Sequence, residues 1–284
     1  MMGKVVLVTG GTSGIGKETA RELARMGATT VLVGRNPEKT AAVVREIQDD
    51  TGNRQVTALL GDLSLQRDVR RVADAFKAAH DRLDVLINNA GTIFFARKVT
   101  AEGIEATWAL NHLAYFLLTE CLLDVLQKSA PSRIVNVASK GHMGGSIHFD
   151  DLMAERSYDG RSRYNDTKLA NVLFTRELAR RLTGTGVTVN ALHPGTIPSS
   201  WNRDGQPVPK WLVTVLRPFT STAQQGAQTT LYLATSPKVE GVSGAYFAHS
   251  KPITPSAKAM DDAAAQRLWA VSESQIIAGD VVGA

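Results

Sequence analysis

The chain has 284 residues, which is enough to bury one substantial core, and it is 43% hydrophobic and 21% charged. Its net charge is +5, but the basic residues are scattered in short pairs on helical patterns that also carry acids. No basic run and no basic stripe interleaved with aromatic residues is present. Nucleic-acid binding is therefore not expected.

The apolar runs indicate where the chain resides. The longest, such as residues 5–8 and 31–33, are strand-sized and too short to cross a bilayer. The first strand pattern begins at Lys4, so we expect neither a signal peptide nor a membrane anchor. The single cysteine, Cys121, rules out an intrachain disulfide. Together these features predict a cytoplasmic protein without a membrane anchor.

Short β-branched runs alternate with amphipathic stretches along the chain. Strands are predicted at 5–8, 30–33, 55–60, 85–87, 133–137, 187–192 and near 245–247. Helices are predicted at 14–26, from 37 onward, and at 64–80, 107–127, 164–181 and 222–234, with a glycine-rich loop at 140–163. Parallel strands need crossover helices, so the alternation predicts an α/β fold. We expect one doubly wound Rossmann-type domain over residues 1–284, with a parallel seven-stranded sheet.

A glycine-rich segment, TGGTSGIG at residues 9–16, follows the first strand directly and opens a helix. Glycines permit a tight turn and let the backbone approach a pyrophosphate, whose charge the free N–H groups of the helix start can bind. A turn that merely packs closely would carry the same glycines, but the position between strand one and helix one favours phosphate binding. The predicted cofactor-binding residues here are Gly10, Thr12, Ser13, Gly14, Ile15 and Gly16.

The end of the second strand distinguishes between nicotinamide cofactors. A carboxylate there would bind the ribose hydroxyl of NAD, but this strand ends Val33-Gly34-Arg35-Asn36 with no acid. The guanidinium of Arg35 can bind a 2′-phosphate through charge-assisted hydrogen bonds. The alternative is that Arg35 is an exposed loop arginine. The sequence favours NADP(H), with Arg35 and Asn36 as cofactor residues.

A tyrosine and a lysine stand four residues apart in the segment Tyr164-Asn165-Asp166-Thr167-Lys168. Residues i and i+4 share one helix face, so the phenol and the ammonium should lie side by side. A nearby positive charge lowers the pKa of a tyrosine from about 10 and makes it a better acid/base at neutral pH. Such pairs are common on helix surfaces, and this one is informative only together with the glycine loop.

These motifs, in this order, resemble the short-chain dehydrogenase/reductase family over nearly the whole chain. The glycine loop, NNAG at 88–91, the strand ending in Ser139, LNH at 110–112, the Tyr164/Lys168 pair and HPG at 193–195 all match the family. KLANVLF at 168–174, the pair Tyr246-Phe247 and Leu268-Trp269 are similar to the branch that contains retinol dehydrogenases and the WW-domain oxidoreductase.

The resemblance implies site residues and a reaction. It implies a catalytic tetrad in which Ser139 holds the substrate oxygen and Tyr164 exchanges its proton. Lys168 would bind nicotinamide ribose hydroxyls and lower the tyrosine pKa, and Asn111 would shape the helix to hold a water that relays protons to Lys168. Further cofactor residues carried over from the family are Asp62, Leu63, Asn89, Ala90, Gly91, Pro194, Gly195 and Ile197. The implied enzyme is an NADP(H)-dependent oxidoreductase that interconverts a carbonyl and an alcohol. In the family the helices with Asn111 and Tyr164 often pair between subunits, so a homo-oligomer is expected.

Residues 196–219 correspond to the mobile substrate flap of the family, and their apolar side chains suggest a lipophilic ketone or aldehyde. The alternative is that these residues dock a helix pair on the domain. The six histidines show no ligand spacing, so no metal site is predicted. A competing function is a non-catalytic regulator that senses NADP(H) through the same loop, although a sensor would not need the acid/base tetrad.

Overall fold

The structure, a computed structural model, describes the backbone of residues 1–195 and 222–281, with side chains as far as residue 276. Its sheet has the strand order β3-β2-β1-β4-β5-β6-β7-β8. The strands are β1 Val5–Thr9, β2 Thr29–Gly34, β3 Val56–Leu60, β4 Val85–Asn88, β5 Ser132–Val137, β6 Val187–His193, β7 Tyr246–Ala248 and β8 Lys251–Pro252. The first seven strands are parallel, which confirms the predicted doubly wound sheet.

The sequence missed β8. This strand has two residues and pairs antiparallel with β7 at the edge of the sheet. Two residues are too few to show the period-two alternation by which strands are recognised in a sequence. The sheet therefore has eight strands in the described part of the chain, one more than predicted.

Helices cover both faces of the sheet. They are α1 Gly14–Arg25, α2 Pro37–Thr51, α3 Gln66–Ala79, α4 Ala106–Trp108, α5 Ala114–Lys128, α6 Gly160–Arg181, α7 Ala223–Thr235 and α8 Asp262–Val281. The strand β1 shows how the two layers form, since Leu7 packs into the cluster under α3, α5 and α6 while Val6 and Val8 pack into the cluster under α1 and α7. Successive side chains point to opposite faces of a strand, so an uninterrupted apolar run supplies both cores.

The helix with the tyrosine–lysine pair begins four residues earlier than predicted. Its N-cap is Asp159, whose side chain accepts a hydrogen bond from the backbone N–H of Ser162 at 2.8 Å. Gly160 was counted with the loop glycines, but a Cβ there would lie 2.4 Å from the carbonyl oxygen of Phe94. This glycine allows close packing rather than a turn. Tyr164 consequently lies one turn inside the helix.

A single helical column links α4 and α5 through a π-helical turn, Ala109–Leu113. The column spans Ala106–Lys128 and, with a mean hydropathy of 1.3, is long and apolar enough to cross a membrane by length and composition. The prediction that no segment could serve as a membrane anchor was therefore wrong. A search for uninterrupted apolar runs misses this segment, because polar residues such as His112 and Glu120 break it up. Mean hydropathy averages over such residues and therefore detects it.

Most of this helical column lies inside the fold. A core helix passes the same test of length and composition, and 72% of its most apolar window is buried inside the fold. The cytoplasmic location was inferred partly from the lack of any such segment. That inference now depends on cysteine usage alone.

A buried ion pair joins this column to α6. The guanidinium of Arg163 donates from Nε to Oε2 of Glu105 at 2.7 Å, and the two side chains are 5% and 0% exposed. Glu105 also accepts hydrogen bonds from the backbone N–H groups of Thr107 and Trp108, and so caps α4. Arg163 immediately precedes Tyr164. The pair therefore ties the two helices together at the turn before the predicted catalytic tyrosine.

We expect Arg163→Met to lower the free energy of unfolding by about 3–5 kcal/mol, because it leaves the buried carboxylate of Glu105 without a counter-charge. The double variant Glu105→Gln/Arg163→Met should recover much of that loss, since a glutamine oxygen can still accept the cap hydrogen bonds. Urea unfolding of both variants and the wild type measures this. A loss below about 1 kcal/mol in the single variant, as for a surface pair, would contradict it.

Candidate active site

The carboxyl ends of β1, β4, β5 and β6 meet along one edge of the sheet, around the point where the strand order reverses between β1 and β4. Ligands of open α/β sheets bind at this point. A cleft of about 330 Å³ lies there. The predicted site residues that line it are Gly10, Thr12, Ser13, Gly14, Ile15, Gly16, Asn89, Ala90, Gly91, Ser139, Tyr164, Lys168, Pro194 and Gly195.

The glycine loop is shaped by contacts that leave no room for a Cβ. A Cβ on Gly16 would lie 2.4 Å from both Asn89 Nδ2 and the carbonyl oxygen of Gly10. Gly10 has a φ of +65°, and a Cβ there would lie 2.9 Å from Cα of Ala90. Ser13 is the N-cap of α1 but makes no capping side-chain hydrogen bond. The N–H groups of the first turn therefore face the cleft without a capping side chain, as anion binding requires.

Thr9 holds the loop in place, and the sequence analysis missed it. Its buried Oγ1 accepts hydrogen bonds from the backbone N–H groups of Asn89 and Ala90 at 2.8 and 3.0 Å and donates to the carbonyl of Ile87. In return the side chain of Asn89 donates to the carbonyl of Thr9 at 2.8 Å. A hydroxyl residue at the end of a buried strand, just before the glycine loop, was the available signal.

A second cleft, of about 440 Å³, continues from the first toward β2 and β3. The predicted residues Arg35, Asp62 and Leu63 line it, together with Gly10, Thr12 and Ala90, which line the first cleft as well. The Arg35 side chain is 75% exposed, and among the described residues its one ion-pair contact is with Asp62 at 3.4 Å. The guanidinium is therefore available to an anion. Asn36 does not line either cleft, because its side chain caps α2 by accepting from the N–H of Lys39 at 2.7 Å.

The tyrosine and the lysine lie side by side, as their spacing predicts. Nζ of Lys168 is 5.5 Å from the ring centre of Tyr164 and donates to the carbonyl oxygen of Val137 at 2.9 Å. Ser139 follows β5 in an extended conformation, and its Oγ accepts a hydrogen bond from the N–H of Gly141 at 3.1 Å. The end of β5 thus supplies both the serine and the carbonyl that holds the lysine.

Burial shifts the pKa values of Lys168 and Tyr164 in opposite directions. Burial lowers the pKa of Lys168 to about 7. Burial also raises the pKa of Tyr164 above 10, and the hydrogen bond with Ser139 only partly offsets that rise. The direction for Tyr164 is opposite to the one expected from the sequence. A lysine close to neutrality adds too little positive charge to overcome the desolvation of a phenolate.

Asn111 lies behind the cleft in the π-helical turn and is fully buried. Its amide forms a reciprocal pair with the backbone of Thr92, accepting from the N–H and donating to the carbonyl, both at 2.9 Å. It also donates to Oγ1 of Thr167 at 3.2 Å, and that hydroxyl donates to the carbonyl of Tyr164. Asn111 therefore joins three segments of the site. The structure brings the four predicted tetrad residues together.

The remaining predicted residues lie at the end of β6. Pro194 and Gly195 line the first cleft, and the N–H of Gly195 donates to Nδ1 of His193 at 3.0 Å. Ile197 and the predicted flap, 196–219, lie outside the described residues.

Known proteins share the sequence pattern that builds this site. A family model described as short chain dehydrogenase matches residues 4–207. The chain belongs to the short-chain dehydrogenase family. It is 47% identical to retinol dehydrogenase 11 of Homo sapiens over 270 residues, covering 95% of this chain and 85% of the relative. It is 43% identical to human retinol dehydrogenase 13 over 276 residues, covering 95% and 83%. The predicted branch is thereby confirmed, and the short-chain dehydrogenase is an oxidoreductase.

Solved structures agree with this assignment. A protein from Mycobacterium paratuberculosis described as uncharacterized is 34% identical, with a TM-score of 0.79 over 97% of this chain and 94% of that one. The RhlG/NADP active-site complex of Pseudomonas aeruginosa is 27% identical, with a TM-score of 0.71 over 87% and 94%. A short chain dehydrogenase from Escherichia coli CFT073 complexed with NADPH is 25% identical, with a TM-score of 0.67 over 87% and 96%. The fold is thus an NAD(P)-binding one.

The low pKa of Lys168 makes stability depend on pH. Between about pH 7 and the ordinary lysine value of 10.5, the unfolded chain holds a proton that the folded short-chain dehydrogenase has released. The free energy of unfolding contributed by Lys168 therefore rises with pH across this window, and the full penalty of burying its charge acts below it. In urea unfolding without added cofactor, the free energy of unfolding of the wild type should increase relative to that of Lys168→Met as the pH rises. A pH-independent difference would contradict this.

Proposed function

We propose that this short-chain dehydrogenase is an NADP(H)-dependent oxidoreductase that interconverts a lipophilic ketone or aldehyde and its alcohol, with Tyr164 as acid/base. The observation that carries the proposal is the convergence of Ser139, Tyr164 and Lys168 on the cleft that the glycine loop lines. An acid/base, a hydrogen-bond donor and an anion-binding loop in one cleft are the parts that hydride transfer to a carbonyl requires.

Ser139 and Tyr164 act on the substrate oxygen. In the reducing direction the Ser139 hydroxyl donates a hydrogen bond to the carbonyl oxygen, which draws negative charge onto that atom. The phenol of Tyr164 then gives its proton to the same oxygen as the alcohol forms. A bound nicotinamide supplies the hydride, and its oxidised, cationic ring adds the positive charge that favours a tyrosinate. In the oxidising direction Tyr164 takes the proton instead.

Lys168 and Asn111 restore the proton of Tyr164. The ammonium uses one donor on the carbonyl of Val137, which leaves two for ribose hydroxyls or a water in the cleft. A pKa near 7 lets Lys168 gain and lose a proton at neutral pH. Gly91 lies between the two side chains, since a Cβ there would be 3.4 Å from Lys168 Nζ and 3.1 Å from Asn111 Oδ1. The lack of a side chain at Gly91 keeps both groups uncrowded.

Two observations support the cofactor and the substrate class. The exposed guanidinium of Arg35 lies in the second cleft, where no carboxylate ends β2, and two structural neighbours are described with NADP or NADPH. The curated relatives are named for retinol, a largely hydrocarbon alcohol. A lipophilic carbonyl compound is the corresponding oxidised substrate.

Tyr164→Phe should lower kcat for carbonyl reduction by about 100- to 10,000-fold, because it removes the proton donor, while NADPH still binds. NADPH oxidation with retinal, quinones, steroids and aliphatic aldehydes gives kcat, and fluorescence titration gives the NADPH Kd. Tyr232→Phe, a partly buried tyrosine on α7, is the matched control. Full turnover by Tyr164→Phe would overturn the mechanism. Tight NADPH binding by a wild type that reduces none of the panel would instead favour a sensor.

Arg35→Ala should lower the ratio of kcat/KM for NADPH over NADH about tenfold or more, because the charge-assisted hydrogen bonds to the 2′-phosphate are lost. Arg54→Ala is the matched control, since Arg54 is 74% exposed and contacts a single carboxylate, that of Asp49. An unchanged ratio in Arg35→Ala would show that Arg35 is an exposed surface residue that does not bind the 2′-phosphate.

A further inference from the structure

A third cleft, of about 490 Å³, adjoins the candidate active site on the side of β6 and β7. Lys140 lines it and is the residue after Ser139. His142 also lines it and bonds through Nδ1 to the carbonyl oxygen of Ser139 at 2.8 Å. Ser139 itself lines the first cleft, so two consecutive residues line the two clefts. The carbonyl reduction proposed for the first cleft gives this third cleft no role.

The charged side chains of this cleft are of one sign. Lys140 and Lys251 are its charged residues, and neither aspartate nor glutamate is among the described residues that line it. Both lysines are exposed, and no carboxylate within the described part of the chain pairs with either one. Two cations without acidic partners in a concave site raise the local concentration of anions.

Two histidines of the cleft, His142 and His193, each accept a backbone hydrogen bond at a ring nitrogen. The N–H of Ser256 donates to Nε2 of His142 at 3.1 Å, so the proton of that ring is on Nδ1, toward Ser139. The N–H of Gly195 donates to Nδ1 of His193. Burial lowers the pKa of His193, and the neighbouring His249, Lys140 and His142 lower it further. A ring that accepts a hydrogen bond at one nitrogen is neutral, so these two histidines add no positive charge to that of the lysines.

The ring of Tyr246 forms part of the wall. Tyr246 is 3% exposed, its hydroxyl oxygen is enclosed by the protein, and its ring lies against His142 with 4.7 Å between the centroids. The rest of the wall includes the apolar side chains of Met143 and Ile253.

We propose that this cleft binds the carboxylate of an amphiphilic substrate, whose apolar chain joins that carboxylate to the carbonyl group reduced at Tyr164. Lys140 and Lys251 supply the charge that attracts the carboxylate. The proposal depends on the carbonyl reduction proposed above and adds the class of substrate, an oxo-carboxylic acid. A neutral lipid would leave the two lysines without an anionic partner.

The test compares aliphatic oxo-acids of increasing chain length with their methyl esters, which keep the carbonyl and the chain but lose the charge. With NADPH, kcat/KM for the best acid should exceed that for its ester about tenfold, and added salt should reduce the preference. In Lys140→Gln/Lys251→Gln the ratio of acid to ester should fall toward one. Lys238→Gln, an exposed lysine at the other end of the sheet, is the matched control and should keep the wild-type ratio.

Calorimetric binding of acid and ester to the NADPH-loaded protein separates this proposal from the reaction itself. Turnover of esters and retinal with no preference for any acid would overturn the carboxylate site and leave the proposed function standing. An acid preference that survives in the double variant would also overturn it. Preferential binding of the acid, lost in the double variant, would support the site even if no compound in the series were reduced.

Discussion

The hydroxyl of Thr9 joins the carboxyl ends of β1 and β4 at the point where the sheet changes direction. It accepts from two consecutive N–H groups after β4, and the Asn89 side chain returns a hydrogen bond to β1. These bonds hold the glycine loop against β4 so closely that Gly10 and Gly16 have no room for a Cβ. The glycine turn and the cleft beside it depend on this junction, since it fixes the loop against the end of β4.

The catalytic side of the cleft depends on burial. Within the described part of the chain, Lys168 donates one hydrogen bond, to the carbonyl of Val137, and desolvation brings its pKa to about 7. The same desolvation raises the pKa of Tyr164. Burial thus prepares the lysine to exchange protons at neutral pH and keeps the phenol protonated. Such a pair suits an acid that donates a proton only when positive charge is placed beside it.

The helices that carry the tetrad are positioned by interactions remote from the substrate. The buried pair of Glu105 and Arg163 fixes the start of α4 against the turn before Tyr164. Asn111 bonds to the backbone of Thr92 and to the side chain of Thr167. Asn111 lies in a π-helical turn, and its amide bonds to both neighbours at once. π-helical turns inside α-helices are rare and occur frequently at functional sites.

The sequence by itself determined the doubly wound fold, the family and the residues of the cleft, because strand–helix periodicity and short motifs at strand ends are local signals. Only the tertiary structure decided what depends on groups far apart in the chain. The contacts of Thr9, the pairing of Glu105 with Arg163 and the burial of Lys168 each join segments separated by 31 to 81 residues. The direction of the Tyr164 pKa and the true start of α6 were predicted wrongly for the same reason. Desolvation and close packing are properties of the assembled core and leave no periodic trace in the sequence.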